Sequence, residues 1–187
     1  MTKVVGLVLA GGNSRRMGRD KAALEVAGVS LLNMARKPLS AAGCQQILVS
    51  GAGGLVDRYP NAGPLAGLDA AIIGLSDGTL LLVVPVDMPH ITADLLTQLT
   101  DECAGQPGVY FAKQPFPCCL RVTAQLRDAV QQALTMTSAD RSLFGLFQRL
   151  GFVELVMKPA HVAQFFNCNT PEEFASLVSL ASLGGKS

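Results

Sequence analysis

The run TLLLVVP at residues 79–85, apolar along its whole length, constrains this chain more than any other feature. A strand with one wet face alternates polar and apolar residues. An unbroken run is expected of a central strand buried on both faces, as in a mostly parallel sheet flanked by helices. Val4–Leu9 (VVGLVL) reads as the first strand of the chain and is also expected to be buried. Shorter β-branched runs at Gln46–Ser50, 109–112, 118–122 and 152–157 complete the expected strands, with Pro115 and Pro117 expected to disrupt pairing ahead of residue 118.

Helical patterns lie between these runs. They cover residues 31–42, with Pro38 kinking or splitting the helix, and 65–75, with Pro64 suited to the first helical position. Others run from a Thr92 cap to about Cys103, over 124–134 and over 139–150. Thr170-Pro171-Glu172-Glu173 supplies an N-cap, a first-turn proline and a capping-box glutamate for a last helix to about Leu183, before a frayed tail at 184–187. Alternation on this spacing implies an α/β fold, a single-domain three-layer α/β/α sandwich over residues 1–187 with a mostly parallel sheet. Ligands of such sheets bind beyond the carboxyl ends of the strands, near a topological switch point. Here those places follow Leu9, Ser50 and Pro85.

Composition excludes several classes. Hydrophobic residues make up 49% and charged residues 16%, which is the balance of an ordered chain. A net charge of +1 offers no global basic field, so nucleic acid is not an expected partner. No run of about 18 apolar residues suggests a membrane span. The first apolar run is followed rather than preceded by basic residues, the wrong order for a signal peptide. The five cysteines, an odd number without CxxC spacing, read as reduced and mostly buried, so the expected location is the cytoplasm.

Anion binding must therefore be local, and the loop after Leu9 is where charge collects. Arg15, Arg16, Arg19 and Lys21 against Asp20 put +3 on residues 15–21. Gly11 and Gly12 let backbone amides approach a ligand as an anion-binding nest. Arginine forks and a lysine point charge both suit phosphate oxygens. The loop matches neither GxGxxG nor GxxxxGK[ST], and a solvated basic turn is the plain alternative.

Asp87 stands just past the apolar run, in VVPVDMP. Magnesium takes one or two carboxylates plus substrate phosphates, so one aspartate on this rim is enough; a turn-forming carboxylate is the alternative. Asp57 precedes GPLAGL, where Gly63 and Pro64 fix a helix start and Gly67 permits close approach. Asn167 and Asn169 alternate on one face of an expected short strand. His90 and His161 have no partner spacing for a triad or a metal and are read as structural.

LAGGNSRRMGRDKAAL resembles the signature of nucleotidyltransferases that use an NTP to load a phosphorylated acceptor. With GPLAGL, VVPVDMP and the NxNTPEE-like segment NCNTPEE in order between Val5 and about Leu177, it is most similar to the molybdenum cofactor guanylyltransferases of the MobA-like NTP transferase family. The resemblance implies a Rossmann-like nucleotidyltransferase fold. It implies transfer of GMP from GTP to the terminal phosphate of molybdopterin, with release of pyrophosphate and Mg²⁺ as cofactor. By resemblance, Leu9, Ala10, Gly11 and Gly12 contact the nucleotide. Arg16 and Lys21 neutralise its phosphates, and Asp87 binds the metal. Ser50, Asp57, Gly63 and Pro64 belong to the nucleotide site, and Arg141, Asn167 and Asn169 to the acceptor site. Cofactor-biosynthesis proteins and molybdoenzyme chaperones are the further partners to expect.

Two departures fall beside the presumed base pocket. Ser50 stands where the family typically has Asn, and the stretch from Ser50 to Asp57 is short. Cytidylyl transfer, NMP transfer to another phosphorylated metabolite, and a binding module without turnover therefore stay open beside guanylyl transfer.

Overall fold

The computed structural model describes residues 2–11, 21–51, 53–136 and 142–184, the side chains of 181–184 excepted. The main strands are β1 (Val4–Leu9), β4 (Gln46–Ser50), β5 (Leu80–Pro85), β6 (Gly108–Phe111), β7 (Gln114–Arg121) and β8 (Val153–Leu155), joined in one sheet in the order β4-β1-β5-β7-β6-β8. β4 and β5 pair parallel with β1 on its two sides, β8 pairs parallel with β6, and β7 alone runs antiparallel to its neighbours β5 and β6. The sheet is mostly parallel, as the continuous apolar runs require.

Both faces of the central strands are dry. Val8, Leu82 and Val84 pack toward α1 (Leu31–Ala41), α3 (Ala93–Glu102) and α6 (Pro171–Gly184). Val5, Leu7, Leu81 and Val83 pack toward α2 (Pro64–Ile72), α4 (Ala124–Thr135) and α5 (Leu143–Arg149). Successive side chains of a strand point to opposite faces, so a strand buried on both sides can carry no polar alternate. Gly6 completes the pattern, since a Cβ there would lie 3.0 Å from Leu39 of α1.

Several local expectations need correction. β7 begins at Gln114, four residues earlier than expected, and contains both Pro115 and Pro117. The prolines lie in the part of β7 that extends beyond its pairing with β5, which covers only Cys118–Arg121, so their missing amides cost no ladder bond to β5. Pro38 neither ends nor splits α1, which continues to Ala41 with Pro38 buried. The late strand is shorter than residues 152–157, and α5 starts at Leu143; residues 137–141 lie outside the described part. Residues 166–169 form no strand. A hairpin of β2 (Glu25–Val26) and β3 (Val29–Ser30) and a 3-10 helix at Pro159–Phe165 were not foreseen. In the hairpin, Ala27 and Gly28 both take positive φ, the geometry of a tight two-residue turn. All five cysteines are free, four of them buried.

Burial of both faces makes a direct prediction. Leu81 and Leu82 are each fully buried, on opposite sides of the sheet. Leu81→Ala and Leu82→Ala are each expected to lower unfolding stability by ~2–5 kcal/mol, read from the urea midpoint. A silent substitution at either position would mean that one face is open.

Candidate active site

The chain passes from β1 out to β4 on one side, then back to β5 on the other, so the switch point lies at the carboxyl ends of these three strands. The strand ends are closely drawn together there. The Ala10 amide donates to the Ser50 carbonyl at 2.9 Å, and the Val86 amide to the Leu9 carbonyl at 3.0 Å. Gly51 has φ +76°, and a Cβ on it would lie 2.5 Å from the Gly11 backbone. Both its conformation and this approach require glycine. The Leu9 carbonyl and Ala10 amide are thus committed within the fold. The Gly11 amide is the first past β1 without such a bond among the described residues.

A cavity of ≈ 680 Å³ opens beside this junction. Leu9, Gly11, Ser50, Asp57, Gly63 and Gly67 line it, which brings together six residues from three sequence motifs. Ser50, buried, donates from its hydroxyl to Asp57 Oδ1 at 3.2 Å. Gly67 is needed here because a Cβ would run into that hydroxyl. Leu55, Val56, Pro60 and Asn61 also line the cavity, and no motif had marked them. Equally unmarked was the clamp that holds their loop: Arg58 donates from Nε at 2.9 Å and Nη2 at 2.6 Å to the buried carboxylate of Asp69 in α2. An aspartate on an otherwise apolar face of α2 was the available signal, because a buried carboxylate requires a partner.

Past β5, three distant segments meet. Lys21 Nζ donates to Asn169 Oδ1 at 2.8 Å and lies 3.6 Å from Asp87 Oδ2. The Cys168 amide donates to the Asp87 carbonyl at 2.8 Å, fixing the segment that carries both asparagines. Glu173 closes the expected capping box: its carboxylate accepts from the amides of Asn169 at 2.6 Å and Thr170 at 2.8 Å. These bonds hold the Glu173 carboxyl below its ordinary range. Burial pushes the Cys168 thiol up, although Lys21 pulls the other way, so this thiol beside the site is a poor nucleophile.

A second cavity of ≈ 260 Å³ is lined by Leu9, Pro64, Asp87 and Asn167, together with Met88, Gln114, Pro115 and Phe116. Asn167 turns its amide toward the Phe165 carbonyl at 3.4 Å, leaving its side-chain oxygen free among the described residues. Gly12, Arg15, Arg16, Arg19 and Arg141 lie outside the described residues. His90 and His161 make edge contacts with Phe166 and Phe111.

Two outcomes follow from this geometry. Gly67→Ala forces a contact between α2 and Ser50 and is expected to cost ~1–3 kcal/mol in a urea titration. The folded value of Glu173 lies below its unfolded one, so its contribution is present above the ordinary carboxylate range. It is lost as pH falls through the folded value. Glu173→Gln should therefore lower stability at neutral pH and flatten the acid limb of a stability–pH curve; an unchanged limb would rule out this role.

Comparison with known proteins identifies the family. The family model for the MobA-like NTP transferase domain matches residues 6–151. A molybdenum cofactor guanylyltransferase of Xanthomonas euvesicatoria pv. vesicatoria is 40% identical over 177 residues, covering 92% of this chain and 93% of the relative. Among solved structures, molybdopterin-guanine dinucleotide biosynthesis protein A from Archaeoglobus fulgidus superposes with a TM-score of 0.71 at 20% identity, over 96% of this chain and 99% of that one. A 4-diphosphocytidyl-2C-methyl-D-erythritol synthase from Anaerococcus prevotii gives 0.72 at 10% identity, over 97% and 99%, a likeness of fold alone. Matched by that family model over residues 6–151 and 40% identical to a relative it covers to 93%, the chain belongs to the MobA-like NTP transferase family.

Proposed function

We propose that this chain transfers GMP from GTP to the terminal phosphate of molybdopterin. The observation that carries the reading is the meeting of Lys21, Asp87 and Asn169, drawn from three motifs, with Asp87 lining the smaller cavity. A 40% identical relative that bears the guanylyltransferase name supports the choice of substrates. In the reaction an acceptor phosphate oxygen attacks the α-phosphorus of GTP in line. The bond from that phosphorus to the bridging oxygen breaks, and pyrophosphate leaves with the electron pair.

Such transfers rest on positioning and on charge stabilisation rather than on a protein nucleophile. Lys21 faces the charge that builds on the leaving pyrophosphate. Its hydrogen bond to Asn169 holds the ammonium in place before the substrate arrives. Arg16 is assigned to the phosphates as well, and Arg141 with Asn167 and Asn169 to the acceptor. Leu9 supplies an apolar wall shared by both cavities, while the Gly11 amide is available to a phosphate oxygen.

Asp87 fits a magnesium site. Its Oδ1 is buried without a hydrogen-bond partner, while Oδ2 faces Lys21. Magnesium commonly takes one or two carboxylates and completes its shell with substrate phosphates and water. Bound there, magnesium would neutralise phosphate charge. Asp57, oriented by Ser50, is assigned to the guanine, whose N–H groups match a carboxylate acceptor. The Ser50 hydroxyl and short loop keep cytidylyl transfer as the second reading.

Pyrophosphate release measured with GTP, CTP and ATP, each with and without molybdopterin, tests the proposal. Only the GTP and molybdopterin pair should give full turnover; preference for CTP would establish the second reading. Lys21→Ala is expected to lower kcat by ~10²–10³-fold. Asp87→Ala should abolish the response to added Mg²⁺, and retention of full Mg²⁺-dependent turnover would overturn the assignment of Asp87.

A further inference from the structure

We propose that the overhanging start of β7, from Gln114 to Phe116, is the seat of the acceptor's pterin ring, an inference that rests on the acceptor named above. β7 runs against the parallel strands, so its first residues, rather than its last, emerge at the active edge of the sheet. Its pairing with β5 stops at Cys118 opposite Val83. Beyond that point β7 pairs with β6 alone, Gln114 lying opposite Phe111, and on the side that β5 leaves uncovered Gln114 and Phe116 wall the ≈ 260 Å³ cavity together with Asp87, Met88 and Asn167.

Asp87, assigned above to magnesium and facing Lys21, is the only charged lining residue of that cavity among those described. What remains is an apolar floor with neutral polar groups at its edge, suited to a flat heterocycle. Phe116 is half-buried and packs against the hydrophobic layers on both faces of the sheet, so its ring is fixed before a ligand arrives. A preset aromatic surface favours stacking at little entropic cost. The Gln114 carboxamide, half-buried, has no hydrogen-bond partner among the described residues. Its carbonyl and NH₂ form a paired acceptor and donor, the complement of the N–H and C=O of a pterin's amide edge. Asn167 adds a second free carbonyl oxygen.

Shared use of Leu9 puts this cavity and the larger one on either side of one residue. The pterin and the guanosine then occupy separate walls, with their phosphates meeting at Lys21. One edge of the sheet thereby distinguishes two heterocycles that carry similar amide edges.

The test is a steady-state comparison of wild type, Gln114→Ala and Phe116→Leu. GTP is varied at saturating molybdopterin, and molybdopterin at saturating GTP. Loss of the paired bonds from Gln114 is expected to raise the KM for molybdopterin about tenfold, with the KM for GTP unchanged. A rise in the KM for GTP, or no change in either, overturns the proposal. If Phe116→Leu does not fold, Gln114→Ala alone decides. Titration with 6-hydroxymethylpterin gives a readout without turnover: the chain has no tryptophan, so pterin emission can be followed directly. Wild type should quench it and both variants should bind more weakly; equal binding by all three overturns the seat. Failure of wild type to use molybdopterin in the first assay would instead refute the function on which the seat rests.

Discussion

The ammonium of Lys21 lies 2.8 Å from Asn169 Oδ1 and 3.6 Å from an Asp87 oxygen, and through it three segments that the sheet leaves apart become one site. Each partner is itself held. Lys21 opens a 3-10 turn in which its carbonyl accepts from the Leu24 amide at 3.1 Å. Asp87 lies two residues past β5 and accepts the Cys168 amide on its carbonyl. The Asn169 amide is bound by the Glu173 carboxylate at the start of α6. A cation with a carboxylate on one side and an amide oxygen on the other is positioned without being fully neutralised. That suits a group whose proposed partner is a triphosphate.

The two cavities owe their separation to topology. β4 lies on one side of β1 and β5 on the other, and the larger cavity opens on the β4 side, under the loop that follows it. The smaller one opens on the β5 and β7 side. Leu9, the last residue of β1, is the wall between them. A strand at the switch point thus divides the site as well as the sheet.

Much of the fold was legible because two-faced burial leaves a simple trace. Residues 80–85 and Val4–Leu9 carry no polar alternate, and only a sandwiched strand tolerates that. Helix starts were legible for a related reason: Thr92 and Thr170 cap where expected, each side-chain oxygen accepting the amide three residues on. β7 was misjudged because Pro115 and Pro117 read as breaks, when they fall in a segment that β5 does not pair. The β2–β3 hairpin was missed because strands of two residues have no period to detect. In the site, motifs located Lys21, Asp87 and Asn169 separately. Their mutual contact, 148 residues apart in the case of Lys21 and Asn169, is a product of tertiary packing and leaves no local pattern. The same holds for Gln114 and Phe116, whose position depends on the direction of β7.

In the proposed base pocket, a serine at position 50 passes the task of reading the base to its neighbour. Ser50 is 2% exposed, and its hydroxyl proton is spent on Asp57, so in the proposed reaction it acts chiefly by orienting that carboxylate. Discrimination then falls to the carboxylate that Ser50 orients. Arg58, the next residue, is pinned to Asp69, which restrains the backbone of Asp57 from the other side. The short loop contributes through stiffness: Gly51 touches Gly11, and Leu55 returns an amide to Val49 at 2.7 Å. A longer loop could adapt to several bases. This one holds its carboxylate on the Ser50 hydroxyl, next to a residue pinned to α2, and a fixed acceptor favours a base that presents N–H donors over one that presents a ring-nitrogen acceptor at the same point.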